Sequence, residues 1–545
     1  MADEAGPPQK DRFVGIFYFL WHNNTGGRSP HWDGPYDIGK ILEADPGALS
    51  NPASPFWGPV GMYHYWGKPM YGYYLSTDPW VLRRHAQILA DAGVDTLIFD
   101  TTNALTYREV YLKLCEVFDA VRREDGRVPQ LCFMVNTEAG RTARKIYEEF
   151  YQPGLHRELW FHWEGKPLMI CDPEKADPKL RDFFTLRRAH WPFVMENTQR
   201  AWHWEAAYPQ PYGYTDNPSV PEQVNVSVAQ NLRMSDGKVT NMSSGEARGR
   251  NFHDRARDTS PGAVNHGYNF AEQWQRAFEL DPPFVMITGW NEWIAGRWGK
   301  PDGPLVFVDQ FDEEHSRDIE PVNGLHNDNY LWQMLAGIRR YKGTAPLPFA
   351  STAKTIDLDG GFEQWQEVRP VFRDHQHETD PRDFDGAGGT HYRNDTGRND
   401  IVACRVARDK RSVYFQVETR EPLSLPSDPN WMWLLIDADQ DVTTGWEGYE
   451  FIVNRQPPSA TQTTLERHVR DWEWEPVGEV PLRNQGNRLH LAIPRTALNL
   501  PIDTTRTALD FKWLDHATRP GDPMDVYVSG DAAPEGRFRY CYQAK

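Results

Sequence analysis

Apolar runs of strand length alternate with helical patterns over roughly the first 340 residues. The runs are Val14–Trp21, Val94–Asp100, Gln130–Asn136, Pro167–Cys171, Phe193–Met195, Val224–Val228, Phe284–Thr288 and Leu305–Val308. Unbroken apolar runs are typical of strands buried on both faces of a parallel sheet, and strands that alternate with helices predict such a sheet. Eight strands over this length favour a (β/α)8 TIM barrel over an open sheet.

Apolar residues at helical spacing predict the helices between these strands. They are Val81–Ala92, Tyr107–Arg123, Thr142–Phe150, Asp177–Ala189, Phe270–Leu280 and Asn327–Tyr341. The first is clearly bounded, because Asp78 and Pro79 are start signals and Gly93 is a stop signal. No glycine-rich phosphate-binding loop follows any strand, which weakens a nucleotide-binding interpretation.

The pattern changes near residue 346, where a Pro-rich stretch predicts a linker over 346–355. We therefore expect a catalytic barrel over 1–345 and an antiparallel β-sandwich accessory domain over 356–545. Short, evenly spaced strands are typical of a sandwich. Those expected are Ile401–Val406, Ser412–Glu418, Trp431–Ile436, Tyr449–Val453, Leu489–Ile493 and Ala508–Trp513.

Composition narrows the partners that the protein can have. The net charge of −18 argues against nucleic acid and anionic membranes, and the 22 tryptophans exceed the needs of folding, so some are expected to line a binding surface.

The five cysteines are scattered and form no zinc or disulfide pattern. No run is long enough to span a membrane, and the first residues lack the pattern of a signal peptide. The protein is therefore cytoplasmic, or it is secreted or periplasmic with its signal segment already removed.

The stretch Phe284–Trp298 is the strongest candidate for chemistry. Glu292 follows an apolar strand and lies among Trp290, Asn291 and Trp293. Active sites of barrel enzymes lie past the carboxyl ends of the strands, and indole faces beside a carboxylate suit a sugar. The other carboxylates at predicted strand ends are Asp100, Glu138, Asp172, Glu196 and Asp309.

Glycoside hydrolysis needs two carboxyl groups, one of which protonates the leaving oxygen. We predict Glu292 as the general acid/base, with Asp100 or Glu196 as its partner. The residues expected to form sugar subsites are Trp21, His22, His64, Trp66, Trp290, Asn291, Trp293, His266 and Glu320. The reaction requires no cofactor. The histidines lack the spacing of a metal site, and no GxSxG elbow is present.

The turn Asp437–Asp441 carries carboxylates at alternate positions, Asp437, Asp439 and Asp441. Hard cations use such spacing, so this turn is a candidate for a structural calcium ion, with a solvated turn as the alternative.

The segment Thr288–Gly296 resembles the Asn-Glu-Trp motif of glycoside hydrolase family 99 and related glycan-processing barrels, and Ile319–Pro321 resembles the Glu-Pro that follows it there. The resemblance spans roughly residues 12 to 342. It implies a retaining mechanism with two glutamates, of which the first matches Glu292 and the second falls on Ala295. Three interpretations stay open: another carboxylate replaces the second (Asp100, Glu138, Glu196 or Glu320), the mechanism differs, or the site only binds.

The C-terminal part resembles carbohydrate-binding module family 9-like sandwiches through Trp431–Asp437 and Thr444–Glu450. The resemblance implies a glycan-binding or bracing role.

Together these patterns predict a glycoside hydrolase that acts on a polysaccharide or oligosaccharide. The alternatives are a non-catalytic glycan-binding protein and a glycan-processing transferase.

Overall fold

The structure is a computed structural model that describes residues 6–23, 27–191 and 196–545. The chain divides into two compact units. One comprises Met1–Ala345 with Phe384–Tyr392, and the other comprises Pro346–Asp383 with Arg393–Lys545. The expected linker over 346–355 lies in the second unit, where the backbone N–H of Ala350 donates to the carbonyl of Gln543 at 3.1 Å.

The first unit is built on eight parallel strands that form a nearly closed, barrel-like sheet. They are β1 Phe13–Tyr18, β2 Thr96–Asp100, β3 Gln130–Met134, β4 Lys166–Ile170, β5 Thr185–His190, β6 Ala201–His203, β7 Gln223–Ser227 and β8 Phe284–Thr288. Each strand from β1 to β5 pairs with the next, and β8 pairs with both β1 and β7. Between β6 and β7 the side-chain amide of Gln223 accepts from the N–H of His203 at 2.8 Å and donates to its carbonyl at 2.9 Å. A side chain therefore joins β6 to β7 where the other strands use backbone pairing. The short strand Gly213–Tyr214 runs antiparallel to β7 and makes the sheet mixed.

Helices separate most of these strands. They are α1 Ile38–Ala44, α2 Pro79–Ala92, α3 Arg108–Arg123, α4 Ala139–Ile146, α5 Pro178–Phe183, α6 Tyr268–Leu280 and α7 Asn329–Lys342. The expected signals bound α2: the Asp78 carboxylate accepts from the N–H of Trp80, and Gly93 adopts the left-handed conformation. Among the described residues no helix separates β5 from β6 or β6 from β7, so the regular eightfold alternation of a TIM barrel is not present. No helix in the described part of the chain is long and apolar enough to cross a membrane.

Two predicted elements differ from the structure, and a third cannot be compared with it. The helix expected over Asp177–Ala189 ends at Phe183, and its second half is β5. The strand expected over Leu305–Val308 is reduced to a single bridge between Val306 and Trp298. The strand expected over Phe193–Met195 lies outside the described residues.

The second unit is a curled antiparallel sheet that resembles a sandwich. Its main strands are Ile401–Arg408, Ser412–Thr419, Trp433–Asp437, Phe451–Val453, Gln462–Arg470, Glu473–Gln485, Arg488–Pro494, Thr507–Asp515 and Tyr540–Ala544. The long strand Glu473–Gln485 pairs with both of its sequence neighbours and so joins the two halves of the sheet. Phe415 and Leu491 from one half share a buried apolar core with Leu434 and Phe511 from the other.

Candidate active site

Three carboxylates converge on the guanidinium of Arg317 at the carboxyl ends of the parallel strands. Nη2 of Arg317 donates to Oε2 of Glu292 at 3.0 Å and to Oδ1 of Asp309 at 3.4 Å. Nη1 donates to Oε2 of Glu205 at 3.3 Å. Arg317 is itself buried, and its carbonyl accepts from the N–H of Gly289, directly after β8. A single cation therefore fixes carboxylates from three separate segments in one place.

Aromatic side chains enclose this cluster. The Arg317 guanidinium carbon lies 4.7 Å from the centre of the Trp204 ring. Trp204 directly follows β6 and packs edge-on against Trp191 at 5.1 Å. Trp290, two residues before Glu292, is also buried. The cluster therefore lies beside indole surfaces, an arrangement that suits binding of a sugar.

The electrostatic environment favours a protonated Glu292. Burial raises the pKa of Glu292 well above its usual range; Arg317 opposes this, while Asp309, Asp318 and Asp100 reinforce it. Burial likewise raises the pKa of Glu205 to about 7, against the lowering effect of Arg317 and of a hydrogen bond from the backbone N–H of Asn231 at 2.9 Å. The environment of Glu292 therefore favours the protonated form of its carboxyl group, which is the form that a proton donor needs.

The three carboxylates differ in their access to solvent. The side chain of Asp309 is 36 % exposed, that of Glu292 is 10 % exposed and that of Glu205 is fully buried. Asp309 is thus the carboxylate that an incoming molecule can reach, and Glu205 is the one that anchors Arg317 from behind.

One of the two predicted partners acts electrostatically on Glu292. Asp100, at the end of β2, is buried, and its charge acts on Glu292. Its Oδ1 accepts from the N–H and the hydroxyl of Thr102 at 3.0 and 2.8 Å. Burial raises the pKa of Asp100, against the lowering effect of those hydrogen bonds. Glu196 is exposed in the loop after β5 and is not among the groups that act most strongly on Glu292.

Several predicted subsite residues instead hold the turn after β8 in place. Glu320 is fully buried; its Oε2 accepts from Tyr74 Oη at 2.8 Å and from Trp293 Nε1 at 2.6 Å, and its Oε1 lies 2.8 Å from His85 Nε2. The amide of Asn291 bonds both the N–H and the carbonyl of Phe19. Because these polar atoms already have protein partners, Glu320, Asn291 and Trp293 position Glu292 from behind.

Two other predicted residues lie where the chain leaves β1. His22 is buried, and its Nε2 has no hydrogen-bond partner within the described part of the chain. Burial, reinforced by the charge of His85, lowers the pKa of His22 to about 3, so its imidazole is neutral at physiological pH. Trp21 is half-buried, with its ring 4.4 Å from that of Phe19 and 5.1 Å from that of Tyr63.

The remaining three predicted subsite residues are not gathered around Arg317. The ring nitrogens of His64 lie 3.1 and 3.0 Å from the carbonyls of Met62 and Trp57, in the protein core. Trp66 is buried and stacks on Trp293 at 5.9 Å. His266 is exposed and stacks on Tyr268.

Position 295, where the family motif has its second glutamate, is closed to catalysis. Ala295 lies in the short strand Ile294–Gly296, which pairs with Tyr63–Tyr65 and places Ala295 opposite His64. Its side chain is buried in an apolar cluster with Trp57 and Trp66. A carboxylate at this position would point into that cluster.

Sequence reasoning missed Glu205, Arg317 and Asp318, and it noted Asp309 as a strand-end carboxylate without choosing it. One signal for Glu205 was available, because the run Trp202-His-Trp-Glu205 places a carboxylate directly after aromatic residues. No local signal marks Arg317, which lies 25 residues beyond Glu292 along the chain.

In the second unit the candidate cation site has a different composition from the one expected. Carboxylate oxygens of Asp437, Asp439 and Glu450 lie within 4.8 Å of one another. Asp441 is exposed and instead accepts from the N–H and the hydroxyl of Thr443. Asp437 is also paired with Arg539 Nη1 at 2.7 Å. A second group of three carboxylates that could hold an ion, not anticipated from the sequence, comprises Asp374, Glu378 and Asp531.

Comparison with known proteins adds distant structural neighbours. No protein-family model matches the sequence, and no curated protein matches it. Two solved structures of a GH99 endo-alpha-mannosidase from Bacteroides thetaiotaomicron, one in complex with BIS-TRIS-propane, align with this chain at 15 and 14 % identity and a TM-score of 0.34 each. The alignments cover 61 % of this chain and 97 and 98 % of those proteins. At so low a TM-score, neither the family nor the activity of this chain follows from them.

Proposed function

We propose that this protein is a glycoside hydrolase that acts on a polysaccharide or oligosaccharide, with Glu292 as the proton donor. One observation carries the proposal. Glu292, whose pKa is raised by burial, and Asp309, which is partly exposed, share the same nitrogen of Arg317 beside indole rings at the carboxyl ends of a parallel sheet. A protonated and an accessible carboxyl group side by side are what glycosidic cleavage requires.

The reaction assigns one role to each carboxyl group. Glu292 donates its proton to the glycosidic oxygen, which keeps the electron pair of the breaking C–O bond. Asp309 attacks the anomeric carbon, and water later displaces it, with Glu292 taking back a proton from that water. Arg317 keeps the two groups aligned.

The distances favour a retaining reaction. The oxygens of Glu292 and Asp309 lie 3.0 and 3.4 Å from the same Nη2, so their separation cannot exceed the sum of those two distances. Inverting enzymes need about 6.5–9.5 Å between the carboxyl groups to admit a water molecule, whereas retaining enzymes use about 5 Å. Asp309 therefore replaces Asp100 and Glu196 as the proposed partner of Glu292.

The second unit is proposed to be an accessory domain that binds glycan. Its support is a cluster of indoles separate from the main core, in which Trp472 lies 4.6 Å from Trp446 and 5.5 Å from Trp433 between ring centres. Calcium at Asp437, Asp439 and Glu450 would stabilise the turn beside it.

The test is hydrolysis of a panel of plant, algal and microbial glycans by the full chain. Glu292→Gln keeps the shape of the side chain but cannot exchange a proton, so we expect kcat on the best substrate to fall about 10²-fold or more. Asp309→Asn should fall similarly, whereas Asp302→Asn, an exposed control in the preceding loop, should match the wild type. Retention of most turnover by Glu292→Gln would remove Glu292 from the mechanism. Saturable binding of glycans with no product would favour the glycan-binding alternative.

A further inference from the structure

A cavity of about 560 Å³ lies between the loops that follow β6 and β7 and the start of α6. Sites for small ligands have volumes of this order. The aromatic and charged side chains in its walls are Tyr208, Phe252, Arg248, Arg255, Asp254 and Glu272. Flat apolar faces together with hydrogen-bonding groups are typical of sites that bind sugars. None of these residues belongs to the carboxylate cluster around Arg317, so the cavity is a separate candidate site.

The walls of the cavity continue from the segments that build the carboxylate cluster. Tyr208 is three residues beyond Glu205, and Met234 is three residues beyond Asn231, whose N–H donates to Glu205. Three residues of chain span at most about 11 Å, so these two walls begin within that distance of Glu205 and Asn231. A glycan of a few sugar units is therefore long enough to reach from the cluster into the cavity.

Arg248 presents its guanidinium to this cavity without a counter-charge. The side chain is half-buried, its guanidinium carbon lies 4.9 Å from the centre of the Phe252 ring, and its Nε donates to the carbonyl of Arg233 at 3.4 Å. Within the described residues neither terminal nitrogen of Arg248 has a hydrogen-bond acceptor or an ion-pair partner. Burial lowers the pKa of Arg248 despite the opposing charge of Glu272, as expected for a cation without a close carboxylate.

The carboxylates that line the cavity already have protein donors. Oε1 of Glu272 accepts from the N–H of Asp254 at 2.8 Å, and Oδ2 of Asp254 lies 3.1 Å from Nδ1 of His253. Arg255, by contrast, is exposed and forms no ion pair in the described part of the chain. The groups of the cavity that are left for a ligand are therefore mainly cationic.

We propose that this cavity is a second sugar-binding site, in which Arg248 binds the carboxylate or sulfate group of an acidic glycan and Tyr208 contacts the face of a sugar ring. The inference rests on the proposed function only in taking the ligand to be a glycan. The two terminal nitrogens of a guanidinium match two oxygens of either anion. Because Phe252 and the carbonyl of Arg233 already hold the guanidinium, little side-chain freedom is lost on binding.

Tyr208 and the overall charge set two further expectations. Tyr208 is 37 % exposed, so its ring is accessible to a sugar. The net charge of −18 disfavours acidic partners at long range. The preference for an acidic sugar should therefore depend on Arg248 and not on the charge of the protein as a whole.

The test is binding of acidic oligosaccharides to the full chain, measured by titration calorimetry. All titrations use Glu292→Gln as the parent, so that a probe is not consumed if it is a substrate. The probes are oligosaccharides of galacturonan, alginate and carrageenan, each paired with its methyl-esterified or desulfated form. We expect at least one acidic probe to bind about tenfold or more tightly than its uncharged partner. The pairs that show this difference distinguish carboxylate from sulfate as the preferred group.

Variants made in that parent locate the binding. Arg248→Gln should abolish the preference for the acidic probe, and Arg248→Lys, which keeps the charge but loses the planar fork, should retain only part of it. Arg127→Gln changes the net charge equally, but Arg127 is exposed in the loop before β3, so the preference should persist. Tyr208→Ala should weaken binding of the acidic probe while leaving its dependence on Arg248 intact. Melting temperatures equal to that of the parent show that the variants are folded.

Two outcomes would overturn the inference: no acidic probe that binds more tightly than its uncharged partner, or a preference that survives in Arg248→Gln. The proposed function fails separately. Binding of acidic probes that depends on Arg248, with no hydrolysis by the wild type, would remove only the proposed function. Hydrolysis of a glycan by the wild type, with no binding that depends on Arg248, would remove only this inference.

Discussion

Replacing Glu205 with glutamine is expected to stabilise the protein at alkaline pH, although it removes a hydrogen-bonded charge. Glu205 is fully buried, and its pKa in the folded protein is raised from 4.5 to about 7, with burial as the main cause. A carboxyl group whose folded pKa lies above its unfolded value destabilises the fold when it must ionise. That cost is absent below about pH 4.5, grows between 4.5 and 7, and is complete above 7. Glutamine resembles the protonated carboxyl group in shape and carries no charge.

The size of the effect follows from the shift in pKa. One pKa unit corresponds to about 1.4 kcal/mol, so ionisation of Glu205 costs roughly 3 kcal/mol at pH 8 and less than about 1 kcal/mol at pH 5. We therefore expect the free energy of unfolding of Glu205→Gln to exceed that of the wild type by about 3 kcal/mol at pH 8, and the advantage to shrink to about 1 kcal/mol at pH 5.

Urea unfolding of the wild type and of Glu205→Gln at pH 5, 6, 7 and 8 measures this difference in the free energy of unfolding. The second unit is identical in the two proteins, so its contribution to that free energy cancels when they are compared at the same pH. Glu196→Gln is the matched control, because Glu196 is an exposed glutamate of the same unit, and its effect should stay within about 0.5 kcal/mol at every pH. A difference between the wild type and Glu205→Gln that does not change with pH would refute the reasoning, since Glu205 would then ionise as it does in water.

Two further predictions concern packing and metal binding. Glu320→Ala should lower the free energy of unfolding by about 3 kcal/mol or more, because it leaves Tyr74, Trp293 and His85 without their buried acceptor. Chemical denaturation measures this loss, and a change below about 1 kcal/mol would contradict the prediction. If calcium binds at the proposed site, millimolar Ca²⁺ should raise the melting temperature of the wild type and of Asp441→Asn, but not that of Asp437→Asn. If Ca²⁺ no longer raises the melting temperature of Asp441→Asn, the ion binds elsewhere.

The strands that sequence reasoning placed correctly are those with apolar and β-branched runs, such as β2 and β8. The missed strands β5 and β6 carry buried polar groups that a hydrophobicity pattern treats as exposed. Arg187 of β5 is buried because Nε and Nη2 donate to the Glu222 carboxylate, which also accepts from Nε1 of Trp202 of β6 at 3.0 Å. A polar network of this kind lies inside the unit only because residues distant in sequence meet there.

The same limit applies to the site. Glu292 was predictable because it follows an apolar strand whose end faces the site. Glu205 follows β6, a strand of three residues that gives no pattern of its own. Arg317 lies in a loop, and its role depends on three carboxylates that come together only in the folded chain. The sequence could therefore identify one acid but not the cation that organises it.

Ala295 shows why a motif and its departures have to be interpreted in the fold. The motif specifies a glutamate three residues beyond Glu292, but it does not specify which side of the chain that residue faces. Here residue 295 enters a strand paired with Tyr63–Tyr65 and faces an apolar cluster that contains Trp57 and Trp66, where an unpaired carboxylate would cost several kcal/mol. Asp309 meanwhile supplies an accessible carboxylate at the same arginine nitrogen as Glu292. The alanine therefore gives no support to a lost activity, because in the proposed mechanism the second carboxylate comes from a different segment.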